Sequence, residues 1–288
     1  MKVFDFVRLM RLNQPTGIFL LLIPCLLAIA LNIKIYQVNL NLSLLKIIVY
    51  FFIGSVLMRS AGCIINDLFD KNFDKKVFRT KNRPLANNIV TTPQALILLS
   101  FLLFVSFCIL LQFNISTIVS GFISFILIFT YPLMKRFFNL PQLYLGITFN
   151  FGVIMASLAV VDKLHSSIIL FYILCIMWTL IYDTIYGFQD IEDDLRIGVK
   201  SSSITINRIF TNPKIILFTV DFIMFLILVY IGFRHDFNFS FYILSFAGSG
   251  FIGFKLFFCD LKNPNDCLKF FKQNVLFGWL ILIAITSA

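Results

Sequence analysis

The sequence predicts an all-α integral membrane protein that crosses the bilayer about nine times. Three observations lead there. Apolar residues make up 59% of the chain against 13% charged, and the mean hydropathy is +0.93, values no soluble domain carries. The apolar residues gather into runs close to the roughly 17–25 residues a helix needs to span hydrocarbon. Short polar breaks separate the runs and leave no room for a soluble domain, so 1–288 reads as a single transmembrane domain.

Taken in order, Lys2, Arg8 and Arg11 precede an apolar stretch ending Ala28-Ile29-Ala30, which has the outline of a cleavable signal peptide. The polar break at Asn13-Gln14-Pro15-Thr16 argues against it, because the segment before has its own amphipathic spacing in Phe4, Val7 and Met10. Residues 2–12 are therefore expected as an interfacial helix, uncleaved. The spans are expected at about 16–33, 44–66, 94–111, 115–133, 142–161, 168–188, 214–232, 240–258 and 274–287. The third and fourth are nearly continuous and are divided only at Gln112-Phe113-Asn114.

A net charge of +10 invites a nucleic-acid reading, but its placement points elsewhere. With the N-terminus inside, Lys34, Lys46, Lys163 and Arg234 fall outside and Arg59 lies within a span; every other Lys and Arg falls on the cytoplasmic side. That is the positive-inside bias, and it sets the expected orientation. No nucleic acid and no obligate protein partner is expected. Of the six cysteines, Cys25, Cys63, Cys108 and Cys175 fall within spans; no Cys-x-x-Cys pair occurs, and there are only two His, so zinc and haem find no ligand set.

Eight of the fourteen acidic residues fall in two short clusters, each at the end of a span and both on the cytoplasmic side. The first runs Asn66-Asp67-Leu68-Phe69-Asp70-Lys71-Asn72-Phe73-Asp74. At about 100° per residue, Asn66, Asp70, Asp74 and Asp67 spread over about 100° of one helix face. The second runs from Asp183 to Asp194, where Asp183, Asp190 and Asp194 form a stripe within about 20° of one line. Glu192 and Asp193 lie to its sides. Carboxylates beside hydrocarbon are costly and repel one another unless cations lie between them. Hard oxygen ligands of this kind suit Mg²⁺ that bridges protein to substrate phosphates. Asp67, Asp70, Asp74, Asp183, Asp190 and Asp194 are the expected metal ligands, with Asn66 beside them.

Basic residues complete the pattern. Arg79-Thr80-Lys81-Asn82-Arg83-Pro84 follows the first cluster, and Tyr131-Pro132-Leu133-Met134-Lys135-Arg136 closes the fourth span. Arg supplies forked donors to phosphate and Lys a mobile charge, so Arg79, Lys81, Arg83 and Lys135 are candidate diphosphate ligands, and the Tyr131 hydroxyl is a candidate to hydrogen-bond the diphosphate or its bridging oxygen. A positive loop touching lipid headgroups, with an interfacial Tyr, is the plainer reading of the same residues. Arg59 lies seven residues before Asn66, on the same face and about 10 Å deeper. An Arg inside a span needs an anionic partner, either a protein carboxylate or that of a small aromatic acid.

These strings together resemble the UbiA superfamily of intramembrane prenyltransferases over essentially the whole chain. They include Arg8-Leu9-Met10-Arg11 with Gln14-Pro15-Thr16-Gly17, Met58-Arg59-Ser60-Ala61-Gly62-Cys63, both acidic motifs, and Gly198, Lys200 and Ser201. Met134-Lys135-Arg136 with Leu140-Pro141-Gln142, and Tyr182-Asp183-Thr184-x-Tyr186, look like the branch that prenylates 4-hydroxybenzoate. Haem-farnesylating relatives share the first motif and the Arg-Thr-Lys-Asn-Arg-Pro string, but are not expected to carry this second motif. Gly187 and Phe188 stand where relatives vary, and beyond 214 the chain carries little motif content.

The resemblance implies a bundle around a central cavity with a lateral opening to the bilayer, in a bacterial cytoplasmic or mitochondrial inner membrane. It implies Mg²⁺-dependent transfer of a polyprenyl group from polyprenyl diphosphate to the ring carbon ortho to the hydroxyl of 4-hydroxybenzoate, in ubiquinone biosynthesis. Asp67, Asp70 and Asp190 would be essential to that chemistry, and Arg59 or Arg136 would anchor the aromatic acid. Other acceptors, such as a naphthoate, homogentisate or haem, are the alternative within the superfamily. A membrane transporter is the alternative outside it, although the acids cluster at one face and no internal repeat is visible.

Overall fold

The structure, a computed structural model, describes residues 3–288. Lys2, the expected start of the interfacial helix, lies outside the described residues. A short helix α1 (Val3–Leu9) leads into α2 (Thr16–Tyr36) and α3 (Leu42–Phe69). A single turn α4 (Lys71–Asp74) and a non-helical loop then precede α5 (Thr92–Leu110) and α6 (Ile115–Phe137). The fifth span is made of α7 (Pro141–Phe149) and α8 (Gly152–Val161). Next come α9 (Ser166–Gly187), a 3₁₀ turn (Phe188–Asp190) and α10 (Ile191–Ile197). The short α11 (Ser202–Ile209) precedes α12 (Pro213–Arg234), α13 (Phe239–Phe258) and α14 (Pro264–Ser287). Among the described residues nine segments are long and apolar enough to cross a membrane, and no strand is present.

The starts of these helices are written locally. Asn41, Asn114, Asn212, Asn238 and Asn263 each cap a helix, their side chains accepting from backbone N–H groups of the first turn. Thr91 and Gln94 form a capping box at α5. The break expected at Gln112-Phe113-Asn114 is the connection between α5 and α6, with the Asn114 carboxamide accepting from Thr117 at 2.9 Å.

Packing places α2 at the centre. Leu20, Ile23, Leu27, Ala28 and Leu31 are at most 1% exposed, and they join Trp178, Tyr182 and Phe277 in the larger core. The Trp178 indole donates to Asn274 Oδ1 at 3.0 Å, so this aromatic cluster has no orphaned N–H. A smaller core on the other side gathers Leu9, Ala61, Ile64, Ile65, Leu85 and Leu99. Large outward side chains such as Phe101, Phe246 and Phe257 are mostly exposed, which is expected where the surrounding solvent is hydrocarbon.

Three details differ from the sequence expectation. The span expected as 142–161 breaks at Asn150. This fully buried side chain donates to Gly146 O (2.8 Å), Cys175 O (3.1 Å) and Thr179 Oγ1 (2.7 Å), partners that lie on its own helix and on α9. The interfacial helix ends at Leu9 rather than 12, because Arg11 takes a left-handed φ of 57°. Neither acidic cluster lies on one continuous helix: α3 ends at Phe69 before Asp70, and α9 passes through the 3₁₀ turn before α10.

Candidate active site

A cavity of about 780 Å³ is lined from both acidic clusters. Asn66, Asp67, Asp70, Asp74, Arg79, Arg83, Tyr131, Lys135, Arg136, Asp183, Asp190, Asp194 and Arg59 all line it. Lys81 does not. Its exposed ammonium lies 4.4 Å from the Phe78 ring centre, outside the cavity.

The first wall is a chain of ion pairs. Asp67, 2% exposed, accepts from Arg11 Nη2 at 2.9 Å on each oxygen and from Arg83 Nη1 at 3.1 Å. Arg83 also donates to both oxygens of Asp74, at 3.0 and 2.8 Å. Burial pushes the Asp74 carboxyl above its ordinary range, against the pull of Arg83. Burial alone would weaken the Arg83 proton, but Asp67 and Asp74 outweigh it and hold the guanidinium firmly charged. Lys135 Nζ donates to Asp70 at 3.3 Å.

The second wall is held by the same loop that follows the first. Arg79 crosses to Asp190, donating from Nε at 2.8 and 3.1 Å and again from Nη2. Its Nη1 donates to the Tyr186 hydroxyl at 2.6 Å. The Phe78 amide donates to Asp193 at 3.1 Å. Four residues apart, Arg79 and Arg83 thus join the two acidic walls, and this explains why an irregular segment follows α4.

Local packing sets the second wall. Ser203 donates to Thr184 O at 2.8 Å, and the Ser202 amide to Gln142 Oε1 at 2.7 Å, which latches α11 under α9 and α7. A side chain at 187 would collide with Ser203 Oγ, so glycine is what lets α11 close against the turn that carries Asp190.

Arg59 points into the cavity, its guanidinium carbon 5.6 Å from the Phe149 ring centre. Its Nε is buried without a hydrogen-bond partner, so the cation is seated by a π face and carries an open donor. A side chain at Gly17 would strike this guanidinium. Arg136, at the rim, reaches Phe69 O at 3.4 Å and lies over the Phe73 ring. The rest of the wall is apolar: Phe104 and Phe107 of α5 and Phe122 and Phe125 of α6 line the cavity and are themselves exposed to the surroundings. These four rings form an apolar stretch of the cavity wall where α5 meets α6.

Sequence reasoning assigned no role to several lining residues. Arg11 and Tyr186 find their partners, Asp67 and Arg79, only through long-range contact. Leu268, Phe271 and Lys272 of α14 also line the cavity, although the chain beyond 214 reads as architecture. Phe271 packs on Tyr186 with ring centres 4.5 Å apart, a contact no local pattern signals.

Two acid-lined walls, basic groups between them and an apolar stretch beyond make this a cavity with one charged and one apolar part. Residues 16–281 match the UbiA prenyltransferase family, and the chain belongs to it. The mitochondrial 4-hydroxybenzoate polyprenyltransferase of Arabidopsis thaliana is 39% identical over 287 residues, covering 99% of this chain and 68% of the relative. A 4-hydroxybenzoate octaprenyltransferase of Coxiella burnetii is 35% identical over 284 residues, 99% of this chain and 96% of its own. A UbiA homolog from Archaeoglobus fulgidus, solved bound to GPP and Mg²⁺, superposes with a TM-score of 0.72 at 15% identity, over 99% of this chain and all of the other. That likeness is one of fold.

The residues present suit a hard divalent cation. Carboxylates stand on both walls, and Asn66 Oδ1 is buried without a hydrogen-bond partner. As the side chains are arranged, no three acidic, His or Cys groups among the described residues converge on one point. Arg and Lys hold Asp67, Asp70, Asp74 and Asp190.

Proposed function

We propose that this chain transfers a polyprenyl group from polyprenyl diphosphate to the carbon ortho to the hydroxyl of 4-hydroxybenzoate, releasing diphosphate, the ring-prenylation step of ubiquinone biosynthesis. The carrying observation is Arg79 and Arg83 joining two acidic walls over a cavity with an apolar far wall, in a chain 35–39% identical along nearly its whole length to enzymes of that name.

Asn66, Asp67, Asp70 and Asp74 on one wall and Asp183, Asp190 and Asp194 on the other would hold Mg²⁺, with phosphate oxygens and water completing its shell. Bound there, Mg²⁺ supplies electrostatic stabilisation of charge gathering on the departing diphosphate. The chain's own cations would serve the same end: Arg79, Arg83 and Lys135 line the cavity between the acids and would donate to the diphosphate oxygens, with Tyr131 lining the same cavity. Lys81 is omitted from this set, since it lies outside the cavity.

The isoprenoid tail would run through the α5–α6 seam into lipid while its head stays between the walls. The loosened allylic carbon is attacked by the electron-rich ring, and loss of the ring proton restores aromaticity. Arg59, with an open donor beside the face of Phe149, would take the carboxylate of the acceptor. Arg136, already engaged at the rim, is the weaker candidate. The site faces the cytoplasm or matrix, a placement supported by the positive-inside bias.

The test is acceptor choice at a fixed donor. Purified protein given one polyprenyl diphosphate and 4-hydroxybenzoate, a dihydroxynaphthoate or homogentisate should prenylate only the first. Turnover confined to another acceptor would contradict the assignment.

A further inference from the structure

We infer that Arg11 is a diphosphate-binding residue that shares Asp67 with the divalent cation, so that cation entry transfers its guanidinium from the protein to the substrate. This rests on the reading of Asp67 as a metal ligand. Arg11 Nη2 donates to both Asp67 oxygens at 2.9 Å, and Arg83 adds a further contact to Oδ1 at 3.1 Å. With 2% exposure, Asp67 offers its cavity-facing oxygens to these two cations. A hard cation must approach such an oxygen to about 2.1 Å. A guanidinium nitrogen at 2.9 Å from both oxygens blocks that approach sterically and opposes it by like charge. The two cations compete for one carboxylate.

Arg11 is placed to move without losing its footing. Leu9, fully buried, fixes the end of α1 in the smaller core, and Arg11 Nη1 donates to Arg8 O at 3.0 Å. Arg8 in turn donates to Asn82 O at 3.2 Å, joining this segment to the loop that carries Arg79 and Arg83. Arg11 lines the same cavity as Lys135 and Asp190. Released from Asp67, its planar fork faces the space assigned to the diphosphate, where forked donors fit paired phosphate oxygens. A cation on Asp67 thus frees a donor for the substrate that the cation itself helps to bind.

The signature is a split in sign. In detergent-purified full chain, Arg11→Gln should tighten Mg²⁺ binding measured calorimetrically without substrate, by about three- to tenfold. The same variant should raise the KM for geranyl diphosphate by about tenfold or more. Arg11→Lys, which keeps the charge and loses the fork, should fall between wild type and Arg11→Gln in both measurements. A purely structural Arg11 would misplace Asp67 and weaken both affinities together; that result, or an unchanged KM for geranyl diphosphate, overturns the inference. Wild-type protein that binds no Mg²⁺ and turns over no acceptor would instead overturn the functional reading, and the inference with it.

Discussion

At the scale of single residues, the site is a set of charges that neutralise one another across two walls. Removing one acid strips a guanidinium or ammonium of a carboxylate partner and, on the proposed reading, deletes a metal ligand. Asp67→Ala, Asp70→Ala and Asp190→Ala should each lower turnover by at least about a hundredfold with metal present, while the protein still inserts into membranes. Near-normal product from any of them would sink the two-wall arrangement. Arg59→Ala should raise the KM for the aromatic acid by about tenfold or more and leave that for the prenyl diphosphate within about twofold. Equal changes in both would move the acceptor anchor elsewhere. The acids and Arg59 stood out in the sequence because ionised groups within or at the ends of spans are expensive, and Arg79 and Arg83 because they follow the first acidic cluster in one basic string. Arg11 was not, since its partner lies 56 residues away. Lys81 shows the converse: its position in a basic string gave no sign that its side chain turns to Phe78.

At the scale of elements, glycines decide where helices meet the site. Gly17 on α2 leaves room for the Arg59 guanidinium on α3. Gly17→Ala should therefore reproduce the Arg59→Ala phenotype, a selective rise in aromatic-acid KM, with Arg59 itself intact. A normal KM would show that the guanidinium relocates freely. Gly187 plays the corresponding part against Ser203, and overpacking there should cost about 1–3 kcal/mol, read as a lowered Tm in detergent. Long apolar runs made the nine spans readable, since that signal is local. The breaks were not local. Asn150 interrupts its span because its amide is drawn to Cys175 O and Thr179 Oγ1 on α9. The second acidic stripe bends where α11 is latched beneath α9, so Asp183, Asp190 and Asp194 reach one cavity along a bent path rather than a regular helix.

At the scale of the whole molecule, the cavity joins an ionic mouth to an apolar seam, and the membrane supplies what a soluble enzyme would need a long tunnel to provide. The tail can remain in lipid while the head is held among charges. The positive-inside bias predicts an orientation: in a cysteine-free background, Lys75→Cys should be labelled by an impermeant thiol reagent from the cytoplasmic or matrix side only, and Lys163→Cys from the opposite side only. The reversed pattern would place the site on the other face. The central claim, that this cavity prenylates 4-hydroxybenzoate with help from a divalent cation, is tested most directly by product mass. Purified protein supplied with a polyprenyl diphosphate and 4-hydroxybenzoate should yield 3-polyprenyl-4-hydroxybenzoate with Mg²⁺ and none with EDTA. Equal product in EDTA, or no product in a folded protein with Mg²⁺, would contradict the account.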